Sequence, residues 1–134
     1  MLWEYKRKGV LIMDPKFIEV IKDTTPATIV TVNAAPAHVV NTWSHYMQLI
    51  DDHTLLIPSA GMHSIEADFA TDNHITIAVG SYKVPGTTGT GCGFHIHGTG
   101  KFETSGAYFD QMHTKFDWIR ATLVVKIDDV EQKI

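Results

Sequence analysis

The chain has 134 residues, 44% of them hydrophobic, with 15 acidic against 11 basic side chains and a formal net charge of −4. That is the size of one domain with enough apolar side chains for a core, which argues against two full domains, and the sign of the charge disfavours a protein built to grip nucleic acid. The single cysteine, Cys92, excludes an internal disulfide framework and a thiolate zinc cage.

Residues 1–16 read as an N-terminal extension. The basic cluster Lys6-Arg7-Lys8 is followed by an apolar run, Val10 to Met13, of four residues that ends at Asp14-Pro15, too short for a signal sequence. No segment is long enough to cross a bilayer, and the reading is of a cytoplasmic protein with no membrane partner. Asp14-Pro15 is a good helix start, an N-cap acceptor followed by a proline at the first helical position. Phe17, Ile18 and Ile21 then share a face, and Thr24-Thr25-Pro26 should stop the helix. The β-branched run Ala27 to Val32 reads as a strand, Asn33-Ala34-Ala35-Pro36 as a turn, and Ala37 to Tyr46 as the returning strand of a hairpin. Thr54 to Pro58 is a short apolar strand.

Ser59-Ala60-Gly61-Met62-His63 feeds a short helical pattern in which Ile65 and Phe69 lie four apart. His74 to Gly80 reads as a strand, Lys83 to Cys92 as a flexible Gly- and Thr-rich connection, and Gly93 to Glu103 as another strand. Phe109, Met112 and Phe116 recur at helical spacing, and Ala121 to Ile127 closes the series as a final strand. Six strands and three short helices, with most strands joined by short turns, predict a β-rich α+β fold: a six-stranded antiparallel barrel with short flanking helices, as one domain.

Three stretches carry candidate chemistry. Ser59 to Ser64 runs from a strand end into a helix start, where free backbone N–H groups and the helix dipole suit an anion such as phosphate. Asn41-Thr42-Trp43-Ser44 places amide, hydroxyl and indole on a strand end, where a planar ligand could be bonded at its edge and packed on its face. His95 and His97, two apart on a strand, have the spacing of a metal pair but lack a third ligand nearby, and unliganded strand histidines are the commoner case. The run Gly86 to Gly93 lacks the Lys-Ser/Thr ending of a phosphate loop and precedes a strand. Cys92, expected to be accessible there, has no basic neighbour to activate it. No catalytic residue and no metal site is assigned.

Taken in order, Val39-Val40-Asn41-Thr42-Trp43, Ile57-Pro58-Ser59-Ala60-Gly61-Met62-His63, Gly80-Ser81-Tyr82-Lys83-Val84, Gly91-Cys92-Gly93-Phe94, Lys115-Phe116-Asp117-Trp118 and Glu131-Gln132 resemble the small FMN-binding proteins of the pyridoxamine 5′-phosphate oxidase-like split-barrel family. The likeness runs from about Phe17 to Ile134. It implies a split β-barrel homodimer holding FMN non-covalently at the subunit interface. Asn41, Thr42 and Trp43 would line the flavin ring, and Ser59, Ala60, Gly61 and Met62 would supply backbone donors. Trp118 and Ile134 would cap the ring from the partner subunit. The family pattern continues with a Lys-Thr pair on the phosphate, where this chain has Ser64-Ile65. Losing that cation should weaken the phosphate contact unless another compensates, and Lys83 and Arg120 are the candidates.

The function expected is an FMN-binding redox protein, an electron carrier or small flavin oxidoreductase, whose redox partner or substrate the sequence does not name. The alternative left open is a ligand-binding or sensing module on the same scaffold whose ligand is not FMN, haem being one conceivable guest. A zinc enzyme built on His95 and His97 is a third possibility.

Overall fold

The structure, a computed structural model, describes residues 14–134; residues 1–13, and with them most of the expected N-terminal extension, lie outside the described residues. Helix α1, Pro15–Lys22, starts where expected: the Asp14 side chain accepts a hydrogen bond from the Lys16 amide at 2.8 Å, and Pro15 occupies the first turn. It buries Phe17, Val20 and Ile21, while Ile18 packs at the margin of the core. Strands β1, Pro26–Thr31, and β2, Val39–Trp43, form the hairpin. The chain then turns through a short 3₁₀ segment, Ser44–Tyr46, into the two-residue strand β3, Gln48–Leu49, and the buried strand β4, Thr54–Ser59. Helix α2 is His63–Asp68; strands β5, His74–Pro85, and β6, Thr90–Glu103, form a long hairpin; helix α3, Ala107–Lys115, precedes strand β7, Ala121–Gln132.

All seven strands lie in one antiparallel sheet in the order β2-β1-β5-β6-β7-β4-β3. The two edge strands, β2 and β3, are joined by residues 44–47, so their ends are no more than about 18 Å apart. A sheet whose first and last strands are so close must curl round into a split barrel, which also leaves little open edge.

The structure differs from the sequence expectation in four places: it has seven strands where six were expected, the additional one being the two-residue β3, and three elements differ in extent. The expected second strand over Ala37 to Tyr46 is shorter and ends at Trp43, where the Ser44 amide bonds to the Thr25 carbonyl at 2.7 Å and its hydroxyl donates to the Asp23 carbonyl. In the segment Lys83 to Cys92, strand β5 runs on to Pro85 and β6 starts at Thr90, with Ser81 opposite Cys92, Pro85 opposite Thr90 and a register irregularity between, so the connection shrinks to residues 86–89. The last strand continues five residues beyond Ile127, to Gln132.

Inside the curl, Ile29, Ile77, Phe94, Ile96, Leu123 and Val125 alternate with outward residues along their strands. Helix α1 packs across one end, with Phe17 edge-on to Phe94 at 5.4 Å. Outside, α3 covers β4 and β7 through a second cluster of Leu56, Met112 and Ile119 with Val124 and Phe116. The outer face of β2, β1, β5 and β6 has no such helix over it among the described residues, and it carries the exposed Val39 and Trp43.

Candidate functional site

Strand alternation sorts the first group of expected residues. Val39, Asn41 and Trp43 are exposed, while Thr42 between them turns inward and is buried. The Thr42 side chain therefore points away from the surface that Val39, Asn41 and Trp43 share. Asn41 stands opposite Thr28, whose hydroxyl donates to the Asn41 Oδ1 at 2.7 Å. That bond holds the Asn41 amide, which shares the exposed face of β2 with Trp43.

The second group lies at the end of β4. Ser59 is fully buried and its hydroxyl donates to the Gly61 carbonyl at 2.9 Å, closing a tight loop onto α2. Met62 adopts a left-handed conformation, φ 63°, and the first α2 hydrogen bond runs from the Glu66 amide to the Met62 carbonyl. The amides of His63, Ser64 and Ile65 have no carbonyl four residues back within the helix, so they are donors for something else. Ser64 is exposed, but Ile65 is a fully buried core side chain. Of the expected phosphate pair, only the Ser64 side chain and the two amides face outward.

Arg120 joins this loop from the far side. Its amide bonds to the Ser59 carbonyl at 2.9 Å, and its Nη2 donates to the Gly61 carbonyl at 2.8 Å and to Glu66 Oε1 at 2.6 Å. The guanidinium also lies 5.9 Å from the Phe102 ring centroid. Its Nε and the Thr122 hydroxyl are buried with no partner among the described residues. Glu66 is 54 residues from Arg120 in sequence, a separation that leaves no local pattern, and sequence reasoning missed it. Two residues before Arg120, Trp118 stands 5.7 Å from Tyr46 in the turn after β2. The segment Phe116 to Arg120 thus bridges the strand that carries Asn41 and Trp43 to the loop that carries Ser59 to Met62.

The other compensating cation proposed from sequence lies elsewhere. Lys83 Nζ is 3.5 Å from Asp23 Oδ1, and Asp23 also accepts from the Ser81 hydroxyl at 2.6 Å, a bond that holds its carboxyl below the usual range. This is the α1 end of the barrel, whereas Ser59 and Arg120 are at the start of β7.

Ile134 packs against Gly93, whose amide donates to its main-chain oxygen at 3.1 Å. It borders a cavity of about 300 Å³ on the uncovered outer face, shared with Pro26, Ala78, Gly80, Gly93 and His95. From Ser59, paired with Ala121 at the start of β7, the chain runs eleven residues to Gln132, about 36 Å of strand, before reaching Ile134. One chain therefore sets the loop and Ile134 at opposite ends of β7.

His95 and His97 share the outer face with ring centroids 6.2 Å apart. His97 Nε2 is 3.5 Å from Glu131 Oε1 and 3.9 Å from Asp129 Oδ1, and the hydrogen bond from His97 keeps Glu131 below the usual carboxylate range. Among the described residues no three histidine, cysteine or carboxylate groups are placed to hold a metal ion. Cys92, expected to be accessible, is buried, and burial pushes its thiol pKa up. No helix among the described residues is long and apolar enough to cross a membrane.

No family model matches the chain. It is 37% identical over 118 residues to the FMN-binding protein of Nitratidesulfovibrio vulgaris (strain DSM 19637 / Miyazaki F), covering 88% of this chain and 96% of that one. Solved structures of the same architecture include an FMN-binding protein from Syntrophomonas wolfei subsp. wolfei, with TM-score 0.68 at 18% identity over 100% of this chain and 97% of the other. The HupZ protein of Group A Streptococcus gives TM-score 0.70 at 17% identity over 89% of this chain and 92% of the other. At such identities the structural likeness speaks to the fold alone, a split barrel.

Proposed function

Since the chain belongs to the FMN-binding proteins of the pyridoxamine 5′-phosphate oxidase-like split-barrel family, we propose that it binds FMN non-covalently between two copies of itself and works as an electron carrier or small flavin oxidoreductase in the cytoplasm. The similarity to a protein named FMN-binding protein over nearly the whole chain carries this reading.

The residues present fit the group. Asn41 and the exposed Trp43 indole share one face of β2, an amide and an aromatic ring suited to the edge and face of a planar ligand. Ser59 to Met62 form a loop closed by the Ser59 hydroxyl, and Arg120, bonded to the loop's Gly61 carbonyl, keeps a buried Nε with no partner among the described residues. FMN, when bound, supplies the electron transfer, and the protein sets its orientation, potential and exposure to water. Asn41 would hold the ring edge, Trp43 would pack on it, and Ile134 and Trp118 of a second copy would exclude water. No side chain need act as general acid or base.

A second copy has a natural place. The uncovered outer face of β2, β1, β5 and β6 combines small residues, Ala78, Gly80 and Gly93, with the exposed Val39, Trp43 and Ile134. Exposed large apolar side chains on a face that no helix covers suit an association site. The 36 Å of β7 between the loop and Ile134 supports two half-sites, one from each copy, and a single domain would supply one half of each.

The test is the visible spectrum of the purified protein before and after incubation with FMN, followed by gel filtration. The expected result is a perturbed flavin spectrum that co-elutes with protein at the volume of a dimer. Failure to retain FMN at micromolar concentration would overturn the reading and favour a ligand other than FMN, the alternative to which the Ser64-Ile65 departure points.

A further inference from the structure

We infer that Arg120 is the residue that distinguishes a phosphate-bearing flavin from one without phosphate in this chain, an inference that rests on the FMN reading above. The two positions where the family pattern has Lys-Thr carry no cation: Ser64 is neutral and exposed, and Ile65 is locked into the core with no exposed surface. Arg120 is the cation held against the loop itself, one hydrogen bond from the Gly61 carbonyl and one from Glu66.

Its state is that of a group prepared for an anion. A guanidinium has five N–H donors in a planar fork suited to phosphate oxygens. Both of its side-chain bonds fall on Nη2, and Nε is buried with no partner among the described residues. An unsatisfied buried donor is unfavourable, and a ligand oxygen that reached Nε would remove that cost. The guanidinium is fixed in place by the Gly61 carbonyl and the Phe102 ring, yet its side chain is still 32% exposed. Glu66, 40% exposed, already occupies one edge of the fork and can turn to solvent as a phosphate arrives, so that one anion replaces another.

This arrangement differs from a cation carried on the loop. Arg120 immediately precedes β7, and its amide donates to the carbonyl of Ser59, the last residue of β4, at 2.9 Å, so its backbone is held by the end of the sheet. Arg120 would hold the phosphate end of the ligand, while Asn41 and Trp43 on β2 would serve the ring.

The experiment compares dissociation constants for FMN and riboflavin by flavin fluorescence. The unaltered chain should bind FMN at least tenfold more tightly than riboflavin, since one charge-assisted hydrogen bond is worth about a factor of ten or more. Arg120→Gln should weaken FMN by roughly 10- to 100-fold and change riboflavin by less than about threefold. Arg120→Lys, which keeps the charge and loses the fork, should fall between. Equal loss for both flavins in Arg120→Gln would overturn the inference, because it would mean that Arg120 only shapes the loop. Equal affinity for the two flavins in the unaltered chain would overturn it without any variant. Absence of binding for both flavins in the unaltered chain would instead fail the FMN reading itself.

Discussion

The Asp68 carboxylate, on the last residue of α2, lies 2.7 Å from the Nδ1 of His38, at the end of the β1–β2 turn, and also accepts from the Thr31 hydroxyl at 2.9 Å. The loop Ser59 to Met62 and the strand carrying Asn41 and Trp43 belong to distant strands of the sheet, and Asp68 ties the helix after one to the hairpin containing the other. The hydrogen bond from His38, with that of Thr31, outweighs desolvation and holds the carboxyl below the usual range.

This gives a pH dependence with a definite sign. A carboxyl whose pKa is lower in the folded than in the unfolded chain adds stability that is complete above the unfolded value and is lost as pH falls through the folded one. Asp68→Asn should therefore be less stable than the unaltered chain near neutrality, and the gap should close as acid protonates Asp68. Urea unfolding midpoints measured from about pH 2 to 7 check this. A gap that stays constant across the range would show that the ionisation of Asp68 contributes nothing.

Gly98 carries a different constraint. It sits at the register shift between β6 and β7, and a Cβ there would lie 2.2 Å from the Lys126 carbonyl oxygen, a backbone atom that cannot swing aside. Gly98→Ala is expected to destabilise by about 1–3 kcal/mol, as overpacking does. Gly61→Ala, where a Cβ would meet nothing within 4 Å, should stay within about 0.5 kcal/mol. Thermal melts of the two variants test the contrast, and a Gly98→Ala protein as stable as Gly61→Ala would contradict it.

The strands were legible in the sequence because inward residues such as Ile75, Ile77 and Val79 alternate with outward ones, and α1 was legible because Asp14-Pro15 is a local start signal. What was not legible depends on partners far along the chain. The break after Trp43 is made by Ser44 bonding to Thr25 and Asp23, 19 and 21 residues away. The Gly- and Thr-rich stretch after Lys83 looked unstructured because glycine has weak strand preference, yet the pairing of β5 with β6 overrides that preference. At the candidate site, strand alternation puts Asn41 and Trp43 on one face and Thr42 on the other, a division the sequence reading, which took the three together, did not draw. The Arg120–Glu66 pair is invisible without the fold.

Cys92 should behave as a core residue. It is 1% exposed, its thiol is pushed up by burial, and the Gln132 side chain donates to its Sγ at 3.6 Å. A thiolate-specific reagent at mildly alkaline pH should label it only as fast as the barrel opens, and at once in denaturant. Complete labelling of the folded protein within seconds would place the thiol at the surface and contradict this burial.

Ile134 is the residue through which the second copy is expected to tune the flavin. Its Cγ1 would lie 3.0 Å from a Cβ at position 93, so Gly93 is what lets this apolar side chain settle against the outer face. An apolar cover excludes water and makes the negatively charged reduced flavin less favourable, which lowers the midpoint potential. Ile134→Gly should admit water and raise the potential by roughly 10–30 mV, about 0.5–1.5 kcal/mol over two electrons. Gly93→Ala, which displaces the same side chain without removing it, should shift the potential in the same direction by less. Redox titration of both flavin-loaded variants decides the matter: a shift in Ile134→Gly with a smaller one in Gly93→Ala supports a cover set by packing, and unchanged potentials in both remove Ile134 from that role.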